Sequence, residues 1–253
     1  MARLWRVYHP GLPAEPGASF DLEVDEARHV HRVLRLETGE PLAVFDGEGT
    51  EWRAVVVTSD RDRVAVELEA PITGPVEPSL VVGLYQGLCK PERMEWVIEK
   101  ATEVGVAAVY PWKSRRAKAH AITPERLARW RRIAAAACKQ CGRRRLPRIE
   151  VCEELPRQLP PATLGLVLDP GSAAAPLAEV CRRQPAPRQV WLAVGPESGL
   201  EAEEITARPG AGWIRTGLGP RVLRADTAGV VAASIVLHRW ADLGAESVPE
   251  EPC

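Results

Sequence analysis

The sequence predicts an α/β fold: a small N-terminal β-domain over residues 1–73, then a larger α/β domain over residues 74–253. Three observations carry this. Before Thr73, short runs alternate apolar and polar residues between Gly and Pro, the period-two pattern of half-buried strands. Beyond it, continuous apolar runs alternate with stretches at helical spacing, as in a mainly parallel sheet covered on both faces. Between the two, Pro71, Gly74, Pro75 and Pro78 crowd together without an apolar run, which marks a linker at residues 71–79.

In the first domain, residues 41–46, 52–58 and 63–69 read as strands, and Asp25–Leu36 as a helix with Val30, Val33 and Leu34 on one face. After the linker comes a buried strand at Leu80–Tyr85. A helix follows at Glu92–Val104, with Pro91 suited to its first turn and Gly105 just past its end. Val106–Tyr110 is again strand-like. Thr123 and Pro124 open a helix whose Leu127, Trp130, Ala134, Ala137 and Cys141 form an apolar stripe, stopped by Gly142. Further strands are expected at residues 165–168, 190–194 and 213–216, and helices near residues 176–183, 201–207 and 226–240.

The chain has 253 residues and a net charge of -1, enough length for two cores. No stretch approaches the ~18 apolar residues of a membrane span, and MARLWRVYHP lacks a signal peptide's apolar run, so a cytoplasmic protein is expected. Six scattered cysteines are no disulfide framework. Cys138 and Cys141 lack the second pair a zinc site needs, so no metal is expected. The near-zero net charge hides an uneven distribution. Residues 1–73 carry a net -6, whereas Lys113–Arg148 carry 13 basic residues against one acid, Glu125. Such a segment repels itself unless an anion lies nearby, and phosphate is the obvious candidate.

Ligands of such sheets bind at the carboxyl ends of strands. Three loops there draw notice: Asp169-Pro-Gly171, Gly195-Pro-Glu-Ser-Gly199, and Gly217-Leu-Gly-Pro-Arg-Val-Leu-Arg224, which leads into a helix. No G-x-G-x-x-G follows a strand, and no P-loop or G-x-S-x-G elbow occurs, which removes the Rossmann, P-loop and α/β-hydrolase readings. An enzyme acting on nucleic acid fits what remains.

Six segments in order then carry a resemblance. They are His29-Val-His-Arg-Val-Leu-Arg-Leu36, Lys90-Pro-Glu-Arg-Met-Glu-Trp-Val-Ile-Glu-Lys-Ala-Thr-Glu-Val-Gly105, Pro111 with Ser114 and Arg116, Cys138-Lys-Gln-Cys-Gly-Arg143 with Pro147, Gly195–Gly199, and Leu218-Gly-Pro-Arg-Val-Leu-Arg-Ala-Asp-Thr-Ala228. Together they resemble the RsmE family of bacterial SPOUT-class methyltransferases. The resemblance spans nearly the whole chain. It implies an N-terminal PUA-like β-barrel, a C-terminal SPOUT domain with a trefoil knot, and a homodimer. It also implies S-adenosylmethionine-dependent methylation of uridine N3 in 16S ribosomal RNA, with the assembled small subunit as substrate. The alternatives are a SPOUT methyltransferase acting on another RNA and a non-catalytic ribosome assembly factor.

By the same carry-over, Leu168, Gly195, Glu197, Gly199, Leu218, Gly219, Val222, Leu223 and Arg224 would bind the cofactor. Arg28, His29, Arg32, Arg35, Arg116, Arg143, Arg144, Arg145 and Arg221 would contact RNA. Three departures stand out: Ser198 and Ala225-Asp226, where the family more often has Gly and Thr-Glu, and Pro91-Glu92, where Gly-Asp is more usual. At a positive φ, Ser198 would be strained by roughly 1 kcal/mol.

Attack by N3 requires loss of its proton and relief of negative charge on the pyrimidine oxygens. The catalytic candidates are Arg224, as a two-pronged cation, and Glu197 or Asp226, as proton acceptor. The competing structural roles are an Arg224–Asp226 pair near the helix start and capping of backbone N–H groups by the two carboxylates.

Overall fold

The computed structural model describes residues 4–61, 63–114, 122–156, 158–171, 174–200 and 212–245; the helix expected near residues 201–207 lies outside them. The chain divides into two compact units, residues 1–77 with 135–146 and residues 78–134 with 147–253. A linear boundary after residue 73 differs from this grouping, because a segment from the middle of the sequence completes the N-terminal unit.

The first unit is built on a five-stranded sheet of β1 (Arg6–Tyr8), β2 (Ser19–Asp21), β3 (Pro41–Phe45), β4 (Glu51–Ser59) and β5 (Val64–Pro71), in the order β1-β3-β4-β5-β2. The alternation in β4 buries Trp52, Ala54 and Val56 against Leu42, Val44, Val66 and Leu68. The β3–β4 turn is held by Asp46, whose Oδ1 accepts the N–H groups of Glu48, Gly49 and Thr50 at 2.7, 2.9 and 2.9 Å.

The helix expected over Asp25–Leu36 is not one continuous α-helix. It is α1 (Val24–Arg28) followed by a π-helical stretch, His29–Leu34, which ends at Arg35 in the left-handed region, φ 56°. The wider turn keeps Ala27, Val30 and Leu36 in the core, while Arg28, Arg32 and Arg35 stay exposed.

Residues 135–146 join this unit through buried charge. Arg6 Nε and Arg144 Nε donate to the two oxygens of Glu51 at 2.6 and 2.8 Å. Arg143 Nε donates to Glu77 Oε2 at 2.9 Å, and Glu77 Oε1 accepts the N–H groups of Arg144 and Arg145. Lys139 pairs with Glu26 at 2.6 Å. This corrects the expectation that Arg143 and Arg144 meet RNA: they are only 5% and 8% exposed, and their anions are carboxylates of this unit. The excess acid of residues 1–73 is in part their counter-charge.

The second unit is a wholly parallel seven-stranded sheet. Its strands are β6 (Val81–Gly87), β7 (Ala108–Trp112), β8 (Arg148–Ile149), β9 (Thr163–Leu168), β10 (Ala175–Pro176), β11 (Gln189–Val194) and β12 (Trp213–Gly217), in the order β10-β12-β9-β11-β6-β7-β8. The helices are α2 (Pro91–Val104), α3 (Pro124–Cys141), α4 (Leu177–Arg183) and α5 (Ala225–Trp240). Val82 and Leu84 of β6, Leu166 of β9 and Leu192 of β11 share one core with Met94, Ile98, Trp130, Val180, Ala233 and Leu237 from these helices. Alternate residues of the same strands, Tyr85, Val167 and Ala193, build a second cluster with Trp112 and Leu155, against which Tyr110, Trp191 and Trp213 pack. Helical cover of both faces, as expected, is therefore not what the described residues show; all four helices join one core. From β6 the chain runs outward through β7 and β8, then crosses to β9, and β11 fills the gap. The direction reverses between β6 and β11, a topological switch point.

Candidate active site

A cavity of about 540 Å³ opens at the carboxyl ends of β9, β11 and β12, within the size range of small-ligand sites. All nine residues named as cofactor-binding line it, together with Arg221 and, from α2, Arg93. Three loops form it. The loop after β11 lies directly on the end of β6, because a Cβ at Gly87 would stand 2.4 Å from Pro196 N. Trp112 Nε1 braces the same strand end by donating to Val194 O at 3.2 Å. In this loop the left-handed residue is Gly199, φ 76°, and Ser198 is not at positive φ. The strain considered for Ser198 does not arise.

The charges are arranged unequally. Asp226, in the first turn of α5, is committed on both oxygens: Oδ1 accepts Thr227 N at 2.8 Å and Thr227 Oγ1 at 3.1 Å, while Oδ2 lies 3.5 Å from Arg93 Nε. The capping role of Asp226 is thus realised. Glu197 is more exposed and pairs through Oε1 with Arg93. Arg224 occupies the N-cap of α5, where its carbonyl accepts Ala228 N at 2.8 Å. Its guanidinium and that of Arg221 are exposed and have no partner among the described residues, so the Arg224–Asp226 pair is not formed.

On another wall, burial alone would raise the Asp169 carboxyl, but hydrogen bonds from Arg215 and from Gly171 N–H hold it below its ordinary value. Burial, reinforced by Asp226 and Glu197, pushes the Cys89 thiol up to about 12, so it remains a neutral thiol at physiological pH.

Arg93 was not identified from the sequence as a site residue. A signal was present: a cation in a helix's first turn opposes the helix dipole. Of the residues named for RNA, Arg28, Arg32, Arg35, Arg145 and Arg221 are exposed. His29 is half-buried, and burial together with Lys139 lowers its pKa. Arg116 lies outside the described residues. Among the described residues no group of three His, Cys, Asp or Glu side chains could hold a metal, and no helix is long and apolar enough to cross a membrane.

The lining suits S-adenosylmethionine: apolar side chains of Leu168, Val194, Leu218 and Val222 offer a bed for a flat purine, and loop backbone and carboxylates offer partners for hydroxyl and amino groups. Comparison with known proteins agrees. Residues 76–237 match the RNA methyltransferase domain family, and residues 22–69 match the RNA methyltransferase PUA domain family. The ribosomal RNA small subunit methyltransferase E of Mycobacterium tuberculosis is 32% identical over 249 residues, covering 92% of each chain. A Neisseria gonorrhoeae ribosomal RNA small subunit methyltransferase E, solved with bound S-adenosylmethionine, superposes with TM-score 0.83 at 29% identity, covering 95% of this chain and 99% of that one. A Legionella pneumophila protein solved with bound cofactor SAM gives TM-score 0.85 at 33% identity, covering 95% and 100%.

Proposed function

The chain belongs to the ribosomal RNA small subunit methyltransferase E family and is an S-adenosylmethionine-dependent methyltransferase; from that premise we propose that it methylates N3 of a uridine in 16S ribosomal RNA. The observation that carries this reading is the pair of guanidiniums, Arg221 and Arg224, that have no partner among the described residues, at a cavity whose carboxylates Glu197 and Asp169 are paired with Arg93 and Arg215. An anionic ligand meets there cations that no described residue neutralises.

S-adenosylmethionine supplies a methyl on a cationic sulfur, already activated for transfer without a metal. The residues of this chain do the rest. Arg224 donates two fixed hydrogen bonds to a uracil oxygen or a flanking phosphate, which stabilises the charge that grows as N3 loses its proton. Glu197 would accept that proton, directly or through a water, as the N–C bond forms and the bond from the methyl to sulfur breaks with its electron pair left on a neutral thioether; its Oε2 has no partner among the described residues. Leu168, Leu218 and Val222 would bed the cofactor.

Arg28, Arg32, Arg35 and Arg145 hold RNA phosphates in this reading, which also includes the knot, a homodimer, an assembled small subunit as substrate, a cytoplasmic location and a PUA-like barrel in residues 1–73. A π-helical stretch capped by a left-handed Arg35 supports a functional role there, since such geometry concentrates at functional sites. The test is to incubate the protein with labelled S-adenosylmethionine and small subunits from cells lacking the endogenous enzyme, then to identify the modified base. Label on N3 of one uridine is expected. Label on another RNA or another atom overturns the substrate reading, and no label overturns the reaction.

A further inference from the structure

The ion pairs at the cavity assign Arg93 a role: we infer that it is a positioning residue for methyl transfer, clamping the Gly195–Gly199 loop to the first turn of α5 so that Glu197 stands over the cavity. The inference rests on the reading of Glu197 as proton acceptor. Arg93 pairs at once with Glu197 from the loop after β11 and with Asp226 from α5. No other cation takes that place among the described residues: Arg215 is engaged by Asp169, and Arg221 and Arg224 pair with neither carboxylate.

The placement is unfavourable for the helix itself. Arg93 sits in the first turn of α2, where the dipole favours acids over cations. Its side chain is nevertheless 30% exposed and turned to the two carboxylates, so the clamp must repay both the dipole and the lost hydration. The result divides the labour of two acids. Asp226 spends Oδ1 on Thr227 and Oδ2 on Arg93, and its side chain is 13% exposed. Glu197 spends only Oε1, at 43% exposure, which leaves Oε2 for a proton from the base. Without Arg93 the two carboxylates would repel each other, and the exposed loop would carry Glu197 outward.

The test compares Arg93→Gln and Arg93→Lys in the full chain, in four readouts: turnover on small subunits, S-adenosylmethionine affinity by calorimetry, thermal midpoint, and hydrogen exchange of the amides of residues 197–200. For Arg93→Gln, turnover should fall about 100-fold, the cost of misplacing a reacting group by an ångström. The midpoint should stay near wild type, cofactor affinity should fall far less than turnover because the loosened loop is only one wall of the cavity, and the loop amides should exchange faster. Arg93→Lys should recover most of the turnover. Because residues acting as a unit are non-additive, Arg93→Gln combined with Glu197→Gln should be no slower than Glu197→Gln alone. Additive losses, a midpoint that falls in step with turnover, or a Lys variant no better than Gln would overturn the clamp. If the wild-type chain modifies no uridine, the substrate reading falls by itself, and the exchange rates still decide: unchanged loop amides in Arg93→Gln refute the clamp, and faster ones at an unchanged midpoint uphold it.

Discussion

Arg143 and Arg144, inside the most basic stretch of the chain, and Arg221 and Arg224, outside it, are the same residue type, yet the fold treats them in opposite ways. The first pair is buried and closed off by Glu77 and Glu51; the second is exposed at a cavity, with no anionic partner among the described residues. A cation's availability depends on which carboxylates the fold delivers to it. Charge density along the chain measures supply, and only packing reveals demand.

The widest separation between the two pairs should be in stability. Arg144→Ala leaves Glu51 buried with Arg6 as its one ionic partner, and breaking a buried pair from one side costs about 3–5 kcal/mol. A clear drop in the denaturant midpoint is expected; an unchanged midpoint would erase the distinction. Arg224→Lys should show the reverse profile. It keeps the charge but loses the planar fork, so turnover should fall roughly 100-fold, about 3 kcal/mol of transition-state stabilisation, with an unmoved thermal midpoint. Near-normal turnover, or loss of stability and activity together, would return Arg224 to the scaffold.

A smaller effect tests a committed charge by pH. The folded carboxyl of Asp169 is held below its ordinary value, so its pairing stabilises the fold above the unfolded pKa of about 3.9 and is lost as pH falls through the folded value. Asp169→Asn should therefore cost about 1 kcal/mol near pH 7, with the gap to wild type closing below about pH 4. A gap constant to pH 3 would show that the contribution is not ionic. The mildest change belongs to Arg145, the exposed member of its run. If it meets a phosphate, Arg145→Gln should reduce the magnitude of the slope of log K against log salt by about 0.7–0.9 in an RNA-binding titration. An unchanged slope places it with Arg143 and Arg144 as non-contacting.

Much of this architecture could be read in the chain before any coordinates. Pro91 and Gly105 bracket α2 as their backbone preferences require, and Thr123 Oγ1 accepts Arg126 N at 3.3 Å at the start of α3. The cavity was legible for a similar reason, since Gly and Pro at a strand's end leave few other structures for Gly195–Gly199 and for Gly217–Arg224, which leads into α5. What could not be read were the pairings between distant positions. Nothing local tells that Arg144 will meet Glu51, or that Arg93 will meet Glu197. The π-helical stretch was hidden as well, because Val30, Val33 and Leu34 fit an ordinary helical face, and only the burial of Leu36 alongside Val30 calls for the wider turn.

The return of residues 135–146 to the N-terminal unit has a consequence in time. A ribosome releases Arg6 and Glu51 well before Arg143 and Arg144, and at roughly 5–20 residues per second the interval lasts several seconds. Throughout it the nascent sheet holds Glu51 with half its counter-charge and Glu77 with none of the Arg143 and Arg144 donors it later receives. The N-terminal unit, first to be translated, therefore waits for the middle of the chain before it can close. Vectorial synthesis thus ties the maturation of the N-terminal unit to the middle of the chain, and a gene fragment ending at residue 77 would encode a body that lacks the donors of residues 143–145.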